Sequence, residues 1–258
     1  MSELRRILSG EDDRPLLDVC AFAIARIEDH ALDESLWLRE LSLLASRIRQ
    51  HDLYERFGFR LAAQVVLFDE WGFRGNEGDY YNPRNSCLHF VLNYRRGNPI
   101  LLSVLYMELG RRLGVKVDGI GAPGHFLVRV EEDGDDFYID PFQGGKLREG
   151  IEEDVEPSFL EAASQRTILI RMLNNLRLIY LQRQAWGKAR QVLDLLLIAE
   201  PQDADALRQR AATLAAKHSF GAAAKDLLAY LKIRPFDADK ADLESQITRL
   251  QRMQSHKN

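Results

Sequence analysis

The side chains best suited to chemistry in this sequence are His125 and Asp140, with Cys87 and Ser103 as the available nucleophiles. An imidazole held through one nitrogen by a carboxylate can take a proton through the other, the arrangement that activates a thiol or hydroxyl for acyl transfer. Local sequence brings the pair together. The runs Phe126-Leu127-Val128-Arg129-Val130 and Phe137-Tyr138-Ile139 flank Asp133-Gly134, a dipeptide suited to a two-residue hairpin turn. With those turn residues, Glu132 faces Asp135, Leu127 faces Asp140 and His125 faces Phe142. His125 and Asp140 then share one side of the sheet, a diagonal step apart. The competing reading is structural, with His125 and Asp140 as a satisfied buried hydrogen bond. No HxH or HExxH spacing joins His125, His89 and Asp140, so no metal is expected, and no glycine pattern suits a nucleotide or other cofactor.

The two nucleophiles differ in setting. Cys87 follows Asn85-Ser86, where a helix is expected to open and run to Arg95 or Arg96; a thiol in that first turn would have its thiolate stabilised by the exposed N–H groups. Ser103 lies one turn inside the next predicted helix, which opens at Gly97-Asn98-Pro99 with Pro99 in its first turn and ends near Gly114. Its apolar residues Leu101, Leu102, Leu105, Tyr106, Leu109 and Leu113 predict a buried helix. Asn85, Asn98, Gly124 and Tyr138 are expected to line a binding pocket around the pair. His89 reads as a solvent or boundary histidine, and Cys20, in an apolar run, as a buried structural thiol. Arg84, Arg95, Arg96, Arg111 and Arg112 crowd the central helices, as salt-bridged faces or as a site for a peptide carboxylate.

These elements sit in a wider frame. The first seventy residues carry apolar positions at helical spacing, punctuated at Asp33-Glu34-Ser35 and His51-Asp52, and residues 72–83 read as a packed loop. From Val115 the period changes to two. Past the acidic stretch around Glu152-Glu153-Asp154 the chain turns helical and repetitive: Ala189 and Ala223 are 34 residues apart, as are Pro201 and Pro235. A 34-residue helix–turn–helix period is the tetratricopeptide signature, and residues 240–253 would cap it. The expected organisation is α+β, with a helical section and core over 1–156 and an all-α repeat domain over 157–258. The 258 residues hold 46% hydrophobic and 29% charged residues with a formal net charge of −4. This excludes collagen-like and wholly disordered classes and gives no support for nucleic acid or a membrane as partner. Two cysteines make no disulfide framework, and a cytoplasmic location is expected.

Several ordered motifs together resemble the bacterial SirB-like family: Phe73-Arg74-Gly75-Asn76, Tyr81-Asn82-Pro83-Arg84-Asn85-Ser86, Arg96-Gly97-Asn98-Pro99-Ile100, Gly124-His125-Phe126-Leu127-Val128-Arg129, Asp140-Pro141-Phe142 and Arg171-Met172-Leu173-Asn174-Asn175-Leu176. The resemblance covers nearly the whole chain. It implies a transglutaminase/papain-like core with a small antiparallel sheet, followed by tetratricopeptide repeats, and a regulatory or protein-interaction role. It also places His125 and Asp140 at the superfamily's His and Asp positions. The superfamily's Cys opens the helix that precedes the first strand, and here Pro99 or Ile100 holds that place. The function expected is therefore a non-enzymatic or catalytically altered module that binds a protein or peptide through its cleft and repeats. The alternative is an acyl-transfer enzyme, a peptidase, amidase or transglutaminase, using Cys87 or Ser103 with His125 and Asp140.

Overall fold

The computed structural model describes residues 1–12, 14, 17–122, 125–151 and 155–255. Gly124 lies outside them. By Cα proximity the chain divides into two compact units, Met1–Leu4 with Asp13–Met172, and Arg5–Asp12 with Leu173–Asn258. The division falls inside the helix Gln165–Gln182, beyond the acidic stretch. Residues preceding that helix join the first unit because Ala162 bridges Ile120 and Ala163 N donates to the Gly119 carbonyl at 2.8 Å.

In the first unit, helices Glu34–Gln50 and Asp52–Ala63 begin at the expected punctuation, and helix Leu17–Ala25 precedes them. Asp33 accepts from Ser35 N and His51 Nδ1 from Leu53 N, each satisfying an N–H that the helix leaves without an internal partner. They surround the helix Pro99–Arg112, whose residues are buried nearly all round because the sheet covers its remaining side. Asn98 caps it, accepting from Leu101 N at 2.9 Å. The sheet is antiparallel, in the order Val117–Ile120 (β3), Leu127–Glu132 (β4), Asp135–Asp140 (β5), Lys146–Leu147 (β6), and a separate parallel bridge joins Arg74–Gly75 (β1) to Arg96–Gly97 (β2). Asp133 and Gly134 make the hairpin turn with φ of 55° and 90°, the left-handed pair such a loop needs. Glu132 pairs with Asp135 and Val128 with Ile139, the register expected from the turn.

Two local expectations need correction. Residues 83–86 form a 3₁₀ turn, so the following helix is only Leu88–Tyr94 and Cys87 is its cap residue, not a member of its first turn. Asn82 causes the shift by accepting from Arg84 N and drawing the chain into the tighter turn. His89 is buried at 3% exposure, not a boundary residue, because it packs between Trp37 and Phe90. Neither ring nitrogen makes a hydrogen bond, and Asp29 Oδ2 stands off at 3.6 Å. Burial holds its pKa below the ordinary value, with Asp29 and Glu28 opposing the shift. The unfolded chain therefore binds this proton more readily. Stability from this group is full above the unfolded pKa near 6.5 and is lost as pH falls through the folded pKa, by at most about 1.4 kcal/mol per pH unit. Urea midpoints at pH 7.5 and 5 should show this loss, and His89→Phe should flatten it.

The second unit repeats itself in three dimensions. Helices Trp186–Ala199 and Phe220–Ile233 start and end 34 residues apart, as do Gln184 and His218, the two left-handed residues that precede them. Helix Ala204–Ala216 lies between, and Ala189 and Ala223 are both fully buried where paired helices approach. Helix Lys240–Ser255 contributes Leu243, Ile247 and Leu250 to the same core as Leu207, Leu214 and Leu227. The cap thus completes a core that two repeats alone leave open.

Candidate functional site

The site grows out of the β4–β5 hairpin. Gly119 and Phe126 turn toward the central helix, where Phe126 meets the space beside Met107, while Ile120, Leu127 and Tyr138 form a separate apolar cluster with Ala122, Ile151 and Leu160. Asp140 continues the face of Leu127, and its side chain is 2% exposed. Its Oδ1 accepts from Phe142 N at 3.0 Å and Gln143 N at 3.2 Å, which fixes both carboxylate and turn. Its Oδ2 is buried with no hydrogen bond and faces His125 Nδ1 at 3.6 Å, just beyond bonding distance. The expected diagonal neighbours are thus brought together, with the imidazole 42% exposed and the carboxylate sealed.

His125 opens onto a cleft of about 480 Å³ lined also by Ala122, Leu127, Arg148, Ile151, Val155, Glu156 and Phe159. The floor is apolar and the rim carries a cation, an anion and the imidazole, a composition that suits a ligand with both greasy and polar parts. Tyr138, expected to line the pocket, is instead buried in the apolar cluster with Leu127 and Ile151 and does not line the cleft; its backbone carbonyl receives Arg148 N at 2.8 Å. Sequence reasoning missed Arg148, Ile151 and Phe159, which are scattered single residues in a segment without periodicity. It also missed the role of Arg171. That guanidinium lies over Phe126 at 5.0 Å and against Gly121, where a Cβ would come within 2.2 Å of Nη1.

The nucleophile candidates lie elsewhere. Ser103 is fully buried and donates to the Phe126 carbonyl at 3.0 Å, tying the central helix to the strand after His125. Cys87 is fully buried, with Sγ 3.5 Å from the Pro83 carbonyl. Neither lines the cleft, and nor do Asn98, Pro99 or Ile100. Asn85 and Asn98 are framework residues: Asn85 donates to the Asp79 and Tyr80 carbonyls and accepts from Asn76, and Asn98 Nδ2 donates to Ser86 Oγ at 2.9 Å. Among the described residues no cluster of three His, Cys, Asp or Glu is placed to hold a metal ion, and no helix is long and apolar enough to cross a membrane.

Comparison with known proteins extends this picture. The sequence family described as the transglutaminase-like superfamily matches residues 35–174, and the tetratricopeptide repeat family matches 176–248. A protein of Xylella fastidiosa (strain 9a5c) named UPF0162 protein is 37% identical over 250 residues, covering 88% of each chain. A UPF0162 protein of Vibrio cholerae is 29% identical over 157 residues, 56% of this chain and 58% of its own. Mouse F-box only protein 21 is 33% identical over 163 residues, 57% of this chain and 26% of its own. No solved structure matches.

Proposed function

Since the chain belongs to the transglutaminase-like superfamily, carries tetratricopeptide repeats and has bacterial UPF0162 relatives in keeping with a SirB-like protein, we propose that it is a non-catalytic module that binds a protein or peptide. One observation carries the reading. His125 is kept at the rim of an open cleft, with Asp140 buried beside it, while every candidate nucleophile is committed or buried away from it. An imidazole with no thiol or hydroxyl to deprotonate has no acyl-transfer role, yet it remains a donor and acceptor at the mouth of an apolar pocket. Asp140 Oδ2 stands 3.6 Å from Nδ1 of the half-exposed imidazole. Tetratricopeptide repeats generally mediate protein contacts, so cleft and repeats serve one purpose, with a regulatory role following from partner binding. The recurrence of the core in F-box only protein 21, a much longer chain, fits a portable binding domain.

Selection from a random peptide library on the full chain tests this. Enrichment of a defined sequence is expected, with its affinity lowered at least tenfold by His125→Ala or Phe159→Asp and the fold retained. Binding untouched by both substitutions would remove the cleft from the account. The buried thiol gives a second expected result: at neutral pH, iodoacetamide should modify Cys87 at least 100-fold more slowly in the native protein than in urea. Rapid native labelling at mildly acidic pH would instead identify a reactive thiolate.

A further inference from the structure

The tripeptide Arg-Gly-Asn occurs twice, as Arg74-Gly75-Asn76 and Arg96-Gly97-Asn98, and the fold lays the copies side by side. Arg74 pairs with Arg96 and Gly75 with Gly97 in the parallel bridge, where Arg74 N donates to the Arg95 carbonyl and Asn76 N to the Gly97 carbonyl. Paired residues of a ladder project to the same side, so two guanidinium groups leave the bridge together, and like charges so opposed repel. Among the described residues no carboxylate lies within ion-pair distance of Arg74, Arg84 or Arg96, whereas Arg111 and Arg112 share Asp18 and Glu108, and Arg129 holds Asp118.

Arg96 is also pre-positioned. Its Nη1 donates to the Gly72 and Arg95 carbonyls at 2.8 Å each, which orients the guanidinium without cancelling its charge. Arg84 lies over the Phe90 ring at 4.9 Å, and Phe90 stacks on Tyr94. Arg84, Arg96, Phe90, Tyr94 and Asn82 wall a cavity of about 240 Å³ that shares no residue with the His125 cleft.

We infer that this cavity is a second binding site, which takes an oxyanion carried by a peptide between Arg84 and Arg96, with the Phe90–Tyr94 wall receiving the adjoining group. Carboxylate and phosphate share the planar or tripodal oxygen geometry that guanidinium forks match. The cavity holds one such group and is no backbone-tracking groove, and the loop at its edge carries Glu77 and Asp79, which disfavours a long polyanion. The choice of a peptide rests on the binding role proposed above, and the choice of an oxyanion does not.

Thermal melting of the full chain in sodium phosphate against sodium chloride of equal ionic strength tests the anion. A saturable rise in Tm of about 2–4 °C is expected at phosphate several times Kd. Arg84 is exposed and Arg74 likewise, so Arg84→Gln should fold normally and lose most of the rise, and Arg74→Gln/Arg84→Gln, which also removes the charge paired with Arg96, at least as much. In the wild-type protein, phosphate should move the Nε–Hε NMR signals of Arg84 and Arg96 together. An equal response to phosphate and chloride, or a full rise in the double variant, would overturn the site. Phenyl phosphate and N-acetylphenylalanine then separate a phosphorylated from a carboxylate-bearing peptide; tighter binding of either than of inorganic phosphate supports the proposal. No gain from either overturns the peptide-borne assignment, and so does an Arg84-dependent single-stranded oligonucleotide that outcompetes both. Since the library experiment reads the His125 cleft, failure here and failure there are separate results.

Discussion

Replacing Asp140 with Ala is expected to lower stability by about 3 kcal/mol, read as a fall in the urea midpoint. The Phe142 and Gln143 amides both end on Oδ1 of a carboxylate that is nearly sealed from water. Hydrogen bonds to a charged group contribute roughly 1.5–3 kcal/mol, and each buried donor left without its acceptor carries a desolvation cost. Asp140→Asn keeps an oxygen for the two amides and should lose less than half as much. His125→Ala should change stability by less than about 0.5 kcal/mol, since the imidazole is 42% exposed and makes no side-chain hydrogen bond to Asp140. That asymmetry separates the roles. Asp140 builds the turn, and His125 is available to a ligand. If His125→Ala proved as damaging as Asp140→Ala, the pair would be a structural contact and the cleft would lose its polar anchor.

The second large effect is expected in the repeat unit. Arg210 makes a two-pronged contact with Asp226, at 2.7 and 2.8 Å, and reaches Asp194 with its third nitrogen at 3.0 Å. Asp226 is 5% exposed, on a helix whose other buried residues are Phe220, Ala223, Ala224, Leu227 and Tyr230. The paired carboxylates hold the Arg210 pKa above its ordinary value, Asp226 foremost. Arg210→Ala leaves Asp226 charged and without its fork, which should cost about 3 kcal/mol, at the lower end for buried pairs because Asp194 and the guanidinium retain some water. Adding Asp226→Leu should recover most of it. A double variant no more stable than the single one would show that the cost comes from lost packing of the arginine stem.

Sequence reasoning reached the fold and the His–Asp pair because both depend on short-range rules. A two-residue Asp-Gly turn admits few registers, so fixing it places Leu127 beside Asp140; Pro99 marks the first turn of its helix; and a 34-residue period is visible from Ala189, Pro201 and their repeats. The rest depends on contacts between segments far apart. Ser103 is one more polar residue on a helix until Phe126 supplies the carbonyl it meets. His89 has the polarity of a surface residue, and only Trp37, 52 positions earlier, makes it a buried one. The cleft walls at Arg148, Ile151 and Phe159 have no shared period, and the Arg74–Arg96 bridge is two residues long, too short for any periodic signal.

The most direct measurement of the central claim is the intact mass of the full chain after incubation with p-nitrophenyl acetate, for the wild-type protein and His125→Ala. A cleft without a nucleophile predicts no single-site acyl adduct and no difference between the two proteins. One acetyl group per chain on Cys87 or Ser103, formed by the wild type and lost in His125→Ala, would contradict it and make the protein an acyl-transfer enzyme.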